Sequence, residues 1–434
     1  MNYQEVVQYL YNQTPDFQKI GAKAYKVGIE NMLEFDKYLS SPHQHFKIIH
    51  VAGTNGKGST SHMLASVFQT AGYKVGLYSS PHLLDFRERI KVNGVEISEE
   101  FVINFTLQHK DAIERICPSF FEVTTAMSFD YFAKVGVDIA IIEVGLGGRL
   151  DSTNIVKPEV SVITNISYDH VDMLGNTLPL IAEEKSGIIK QHVPVIVGEW
   201  QEQTYRVFEE KAKEADVPIV FADREYDLLD SKFAGGLQYF KVKGKSDGFI
   251  YEVGLDLLGV YQKYNILTVL ATLDNLMGRN VLTISQNSIR DGLRNVVKNT
   301  NLQGRWQVLQ RNPKIICDIA HNVDGLTQTM EQLQRESYKK LYFVFGMVAD
   351  KDVSGALALL PKDAFYYFTQ ANIPRALDAI LLKNRCAKYG LQGVAVSKVS
   401  DALGEARKVA GVDDVVYIGG STFVVAEALD GYDG

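Results

Sequence analysis

The segment Val51-Ala52-Gly53-Thr54-Asn55-Gly56-Lys57-Gly58-Ser59-Thr60 constrains this chain more than any other. Residues 46–51 form an apolar run that reads as a buried strand, and 61–70 read as a helix, so the glycines fall at a strand-to-helix turn. Glycines at such a turn let backbone N–H groups close around an anion where the helix dipole is positive, and Lys57 adds a point charge. The expected ligand is a polyphosphate nucleotide held by Thr54, Asn55, Gly56, Lys57, Gly58 and Ser59. The spacing is shorter than G-x-x-x-x-G-K-[ST], and Gly58 separates the lysine from the first hydroxyl, which argues against an ordinary GTPase or kinase loop.

Such a turn needs an α/β scaffold. Apolar runs alternate with helical periodicity almost throughout the 434 residues, a length too great for one typical core. The expected fold is a large N-terminal P-loop ATPase-like α/β domain over 1–297, a polar linker over 298–304, and a smaller C-terminal Rossmann-like α/β domain over 305–434. The first domain should have a mostly parallel sheet, with strands at 47–51, 74–78, 138–144, 160–164, 193–197 and 219–221, and a small antiparallel sheet within 226–258. Its later helices are expected at 178–190, 261–277 and 285–297. Strands of the second domain are expected at 314–317, 341–345, 364–368, 393–396 and 415–418.

Composition narrows the partners. A formal charge of -7 without clustered Lys and Arg speaks against nucleic acid, and 46% apolar with 22% charged residues fits a globular protein that binds small molecules. No apolar run approaches the roughly 20 residues that span a bilayer, and Met1-Asn2-Tyr3-Gln4-Glu5 has no signal-peptide character, so no membrane association and a cytoplasmic location are expected; the sequence leaves the oligomeric state open, with a monomer as the default. Cys117, Cys317 and Cys386 suggest neither a disulfide framework nor a zinc site.

Several residues at expected strand ends carry candidate chemistry. Glu143 ends an apolar strand and precedes Val144-Gly145-Leu146-Gly147-Gly148, where it could hold Mg²⁺ or merely cap the loop. His170 follows the next strand, as a metal ligand or a structural residue. Lys185 falls on the apolar stripe of its helix; an inward amine loses hydration and becomes reactive, unless its head reaches water. Asp318 and His321 stand at a strand-to-helix turn, where capping by Asp318 or Asn322 is the alternative to a ligand role, and Arg305 follows the linker.

Taken together, AGTNGKGST from Ala52, YSSPHLLDFRERIKVNG from Tyr78, SFFEVTTA from Ser119, EVGLGGRLDSTN from Glu143, ITNISYDHVDMLGNT from Ile163, IAEEKSGIIK from Ile181, GR at Gly304, DIAHN from Asp318 and IGGSTFVVAE from Ile418 resemble the folylpolyglutamate synthase and dihydrofolate synthase family of Mur ligases. The resemblance runs across essentially the whole chain. It implies an ATP-dependent ligase that joins L-glutamate to dihydropteroate, to reduced folates, or to both through an acyl phosphate. Lys57 and the adjoining loop would bind ATP; Ser80, Glu143 and His170 would serve a pair of Mg²⁺ ions; and Lys185 would be carbamylated as a further metal ligand. Asn265, Arg305 and Asp318 match nucleotide contacts across a domain cleft, and His321 matches a residue linked to the incoming glutamate or the acyl phosphate. Pro81, His82, Ser119, Phe120, Phe121 and Glu122 match the pterin region, with the aromatic faces stacking and Glu122 meeting the amino edge. The loop 345–352 resembles a substrate loop of the second domain. A cell-wall ligase acting on a UDP-linked sugar fits less well, since only about fifty residues precede the phosphate loop, fewer than a separate domain usually has. A nucleotide-operated switch would not need Asp318, His321 or an inward lysine.

Overall fold

A computed structural model describes residues 1–13, 28–349 and 354–432. The described chain divides into two compact units: 1–13, 28–256 and 262–302 form the first, and 257–261 and 303–432, apart from 350–353, form the second.

The main sheet of the first unit contains β1 (Lys47–Ala52), β2 (Val75–Tyr78), β3 (Ile90–Val92), β4 (Val95–Glu96), β5 (Ile139–Glu143), β6 (Val160–Ile163), β7 (Val195–Val197) and β8 (Ile219–Phe221). Their order is β4-β3-β2-β5-β1-β6-β7-β8, parallel except at β3 and β4. Every residue of β5 is buried, as a strand covered on both faces requires, and this explains its unbroken apolar run. Because β1 lies between β5 and β6, the phosphate loop, Glu143 and the segment after Ile163 leave the same sheet edge side by side. The expected small sheet is also present, as an antiparallel set of β9 (Tyr226–Ala234), β10 (Leu237–Gly244) and β11 (Ile250–Leu255).

Three local differences from the sequence reading have physical causes. The β3–β4 hairpin turns at Asn93 (φ 49°) and Gly94 (φ 77°), the Asn-Gly pair that a tight hairpin favours. The helix Leu178–Ser186 stops short of residue 190 because Glu184 O accepts the Arg149 N–H at 2.8 Å and Gly187 packs on the Arg149 backbone. Lys298, expected in a linker, lies instead in the helix Val296–Thr300, whose first N–H groups meet the Asp256 carboxylate at 3.1 and 2.9 Å. Its end is fixed within the first unit: Thr300 is buried, its hydroxyl bonded to His62 and its carbonyl to Lys91.

The second unit carries β12 (Gln307–Arg311), β13 (Lys314–Cys317), β14 (Leu341–Phe345), β15 (Phe365–Phe368), β16 (Gln392–Ala395) and β17 (Val415–Gly419), ordered β12-β13-β17-β14-β15-β16. All pairs but β12–β13 are parallel. Phe343, Tyr366 and Phe368 stack in the core on one side of this sheet, with the helices burying it as a parallel sheet demands. The segment 257–261 joins this unit by side chain as well as backbone: Gln332 receives the Val260 N–H at 2.7 Å and donates to Leu258 O at 2.8 Å.

Candidate active site

Between β1 and the helix Lys57–Thr70, Gly53 (φ 141°) and Gly56 (φ 87°) adopt conformations that favour glycine. A Cβ on Gly53 would lie 1.9 Å from Thr164 Oγ1, and one on Gly56 would lie 2.2 Å from Asn265 Oδ1, so no larger residue fits either place. The helix has no side-chain cap and no acid in its first turn, which leaves its positive end electrostatically open to an anion. The Thr60 and Ser61 hydroxyls are buried without a partner, while Ser59 Oγ accepts from Gln262 Nε2 at 3.2 Å. These features fit a phosphate chain.

Two Lys side chains converge on one carbonyl. Lys57 Nζ donates to Gly53 O at 3.0 Å and to Thr54 O at 3.1 Å, and Lys185 Nζ donates to Gly53 O at 2.9 Å. Lys185 is buried, in the last turn of its helix, and its amine is pushed down to about 7, first by burial and then by the neighbouring Lys57 charge. The inward orientation expected from sequence holds even though the helix is shorter.

Thr54 and Asn55 bond to the segment after β6. Thr54 donates its N–H to Asn165 O, and its hydroxyl meets Ser167; Asn55 donates its N–H to Asn165 Oδ1 at 2.9 Å and its side-chain amide to Ser167 Oγ at 3.1 Å. Their backbone donors, expected on the nucleotide, are therefore engaged by the segment after β6. Asn265 does reach the loop, where its buried amide lies against Gly56 and donates to Gln262 at 2.7 Å.

Glu143 is buried at the end of β5, and Ser80, which follows β2, donates its N–H to Glu143 Oε2 at 3.4 Å. Across β1, His170 sits at φ 50° before a short helix, its ring Nε2 3.8 Å from Asp169. Among the described residues no three His, Cys, Asp or Glu side chains gather closely enough to hold a metal. The oxygens of Ser80 and Glu143 suit a hard divalent cation, His170 would offer it a softer imidazole nitrogen, and a carboxylate formed on Lys185 would add an anionic oxygen.

The proposed pterin residues divide. Pro81 is exposed and Phe121 partly so, the latter with its ring against Gly145 and tilted toward Tyr78 at 5.8 Å. Phe120 is core: it stacks on Tyr11 at 4.7 Å beneath the Arg89 guanidinium at 5.3 Å. Glu122 is buried, and its carboxylate accepts the Ser119 N–H at 2.6 Å while Ser119 Oγ accepts the Glu122 N–H, a reciprocal helix cap in place of the expected ligand contact. His82 uses both ring nitrogens within the protein, on Arg89 Nε at 2.7 Å and Tyr11 Oη at 3.3 Å. Burial, reinforced by the Arg89 charge, holds it well below its ordinary pKa. It therefore orients Arg89 as a neutral ring.

In the second unit, Asp318 is also committed to the chain. Its carboxylate accepts from Tyr261 Oη at 2.6 Å, the Trp306 N–H at 2.7 Å and the Ala320 N–H at 2.8 Å, so it shapes the turn that carries Arg305. Burial pushes its pKa up, against these hydrogen bonds. The Arg305 guanidinium is 3.4 Å from the carbonyls of Gln303 and Gly304. His321 Nδ1 lies 3.0 Å from Ile319 O, and the capping role falls to Asn322, which accepts the Gly325 N–H at 2.8 Å. Of the loop 345–352, Met347 is buried and Ala349 donates to Arg375 O at 2.8 Å; residues 350–352 lie outside the described residues.

Sequence reasoning singled out neither Asp151 nor Asn165. Asp151 is buried, accepts the N–H groups of Gly145 and Leu146 at 3.0 and 2.8 Å, and takes the Thr153 hydroxyl on its other oxygen. Thr153 in turn meets His50 Nε2 at 2.8 Å. This chain fixes the glycine-rich loop after Glu143. A carboxylate directly after Gly148-Arg149-Leu150 is the signal that could have found it.

The chain is similar to known proteins along nearly its whole length. The family model of the Mur ligase middle domain matches residues 51–273, and that of the Mur ligase, glutamate ligase domain matches 304–422. The chain is 34% identical over 439 residues to a probable bifunctional folylpolyglutamate synthase/dihydropteroate synthase of Haloferax volcanii, covering 99% of this chain but only 50% of that protein. It is 34% identical to the dihydrofolate synthase/folylpolyglutamate synthase of Bacillus subtilis, covering 81% of this chain and 83% of that one. A solved bifunctional folylpolyglutamate synthase/dihydrofolate synthase with Mn, AMPPNP and L-glutamate bound superposes with a TM-score of 0.83 at 30% identity, over 99% of this chain and 98% of the other.

Proposed function

The chain belongs to the folylpolyglutamate synthase and dihydrofolate synthase family of Mur ligases, and from that membership we propose that it is an ATP-dependent ligase adding L-glutamate to dihydropteroate and to reduced folates. The observation that carries this reading is the convergence of Lys57 and the buried Lys185 on Gly53 O, beside an uncapped helix N-terminus. Lys57 and the open helix N-terminus concentrate positive charge there within a protein of net charge -7, while burial disfavours charge on Lys185.

A carboxylate is a poor electrophile. Its attack on the γ-phosphate gives an acyl phosphate and ADP; the glutamate amine then attacks the acyl carbon, phosphate leaves, and the amine proton passes to a base. Lys57 and the N–H groups at the start of its helix stabilise charge on the transferring phosphoryl group, which is positioning and electrostatics rather than covalent work. Magnesium ions, when bound, neutralise phosphate charge, and Ser80, Glu143, His170 and a carbamylated Lys185 are the residues we assign to them. Asn265 and Arg305 are assigned to the nucleotide, Asp318 to holding Arg305, His321 to the glutamate side, and Phe121 with Pro81 to the pterin. We assign the nucleotide chemistry to the first unit, through residue 302, and the glutamate side to the second. A cytoplasmic location and a monomeric state belong to the same proposal. No described helix is long and apolar enough to cross a membrane.

Dihydropteroate and tetrahydrofolate, supplied separately with and without glutamate, test the proposal through ADP release. Glutamate-dependent release with each acceptor is expected. Release with one alone reduces the enzyme to a single activity, and release with neither returns the acceptor to another carboxylate.

A further inference from the structure

Three strand ends stand in series behind the phosphate loop. Gly198, following β7, donates its N–H to Ile163 O at 2.7 Å, and a Cβ there would lie 2.2 Å from Thr164 O. Thr164 in turn fills the space that the absent side chain of Gly53 leaves, and its hydroxyl donates to Asn55 O. Glycines thus let the ends of β7, β6 and β1 approach closely, and side-chain hydrogen bonds connect the same three. Glu199 Oε1 accepts from Asn165 Nδ2 at 3.2 Å, and Asn165 Oδ1 accepts the Asn55 N–H at 2.9 Å, while the Asn165 carbonyl takes the Thr54 N–H at 2.9 Å.

We propose that Asn165 is a positioning residue for nucleotide binding, with its amide oriented by Glu199, and that the two set the phosphate loop from behind without touching phosphate. An amide can turn over, and only one of its two orientations presents oxygen to the Asn55 N–H. The Glu199 carboxylate, which accepts only, selects that orientation by holding the nitrogen. The consequence is a loop whose Thr54 and Asn55 donors face Asn165, leaving the N–H groups from Gly56 onward as those facing an anion. The inference rests on the nucleotide reading of the loop.

Exchanging donor and acceptor tests it. Asn165→Asp keeps an oxygen for the Asn55 N–H but sets two carboxylates against each other; adding Glu199→Gln supplies a donor again, so the pair is restored with its polarity reversed. ADP affinity, measured by calorimetry on the full chain without folate or glutamate, is expected to weaken about tenfold or more in Asn165→Asp, about threefold in Glu199→Gln, and to recover to within about threefold of the parent in the double variant. KM for ATP should move in the same order while kcat at saturating ATP changes little. A general structural defect would lower kcat and the melting temperature in the double variant too. Parental affinity in Asn165→Asp, or a double variant no better than that single one, overturns the inference while the nucleotide reading stands. A folding failure of Asn165→Asp moves the decision to Glu199→Gln, where unchanged ADP affinity overturns it. Failure of the parental protein to bind ADP overturns the nucleotide reading and the inference together.

Discussion

Lys57 and Lys185 share a carbonyl partner, yet they should fail differently when removed. Lys57→Ala takes a preorganised charge from the reacting phosphates, and ADP formation should fall about 10²-fold or more with thermal stability nearly unchanged. Near-parental turnover in the folded variant would remove the loop from the chemistry. Lys185 is buried, and burial pushes its amine down to about 7, which favours the free base that carbamate formation requires. Lys185→Ala should lose ligation and regain part of it with small carboxylates such as formate or acetate. A bare ammonium in a crystal structure of the magnesium–ATP complex would contradict the carbamate. At this scale the sequence shows which residues carry candidate groups but not what they touch. Glu122, His82 and Asp318 each carry a group able to bind ligand, and each is directed to the chain itself, because a nearby N–H, guanidinium or hydroxyl lies in reach only after folding.

Among the elements, long apolar runs such as Ile139–Glu143 and Leu341–Phe345 were legible because central parallel strands are buried on both faces. Short or polar pieces were not: β12 is partly exposed along its whole length at a sheet edge, and Val296–Thr300 has its first N–H groups capped by the distant Asp256. His50, on β1, shows how an element can be made acid-sensitive. Burial holds its pKa near 3, against 6.5 for the ordinary side chain. Between those values the unfolded chain binds the extra proton, so stability should fall as pH falls through this window, by up to about 1.4 kcal/mol per pH unit. His50→Gln can still donate to Thr153 and should flatten the slope. Urea midpoints of the two proteins at pH 7 and pH 5 check this; parallel losses would exclude His50 as the titrating group.

Across the molecule, the burial of the cysteines gives a direct test of the cores. Cys317 and Cys386 are buried, the first thiol pushed up by burial and the neighbouring Asp318 charge and the second to about 12 by burial, whereas Cys117 is exposed. A thiol reagent should react quickly with Cys117 alone in the native protein and with all three residues in denaturant; fast native labelling of Cys317 would contradict the packing of the second unit. The reaction proposed for this protein activates a carboxylate as an acyl phosphate, a mixed anhydride, and then joins it to glutamate. Dihydropteroate labelled with oxygen-18 in its carboxylate, turned over with ATP and glutamate, decides it by mass spectrometry of the products. The account predicts dihydrofolate, ADP and inorganic phosphate carrying one labelled oxygen from the substrate; label in AMP, or unlabelled phosphate alongside full product, would contradict it.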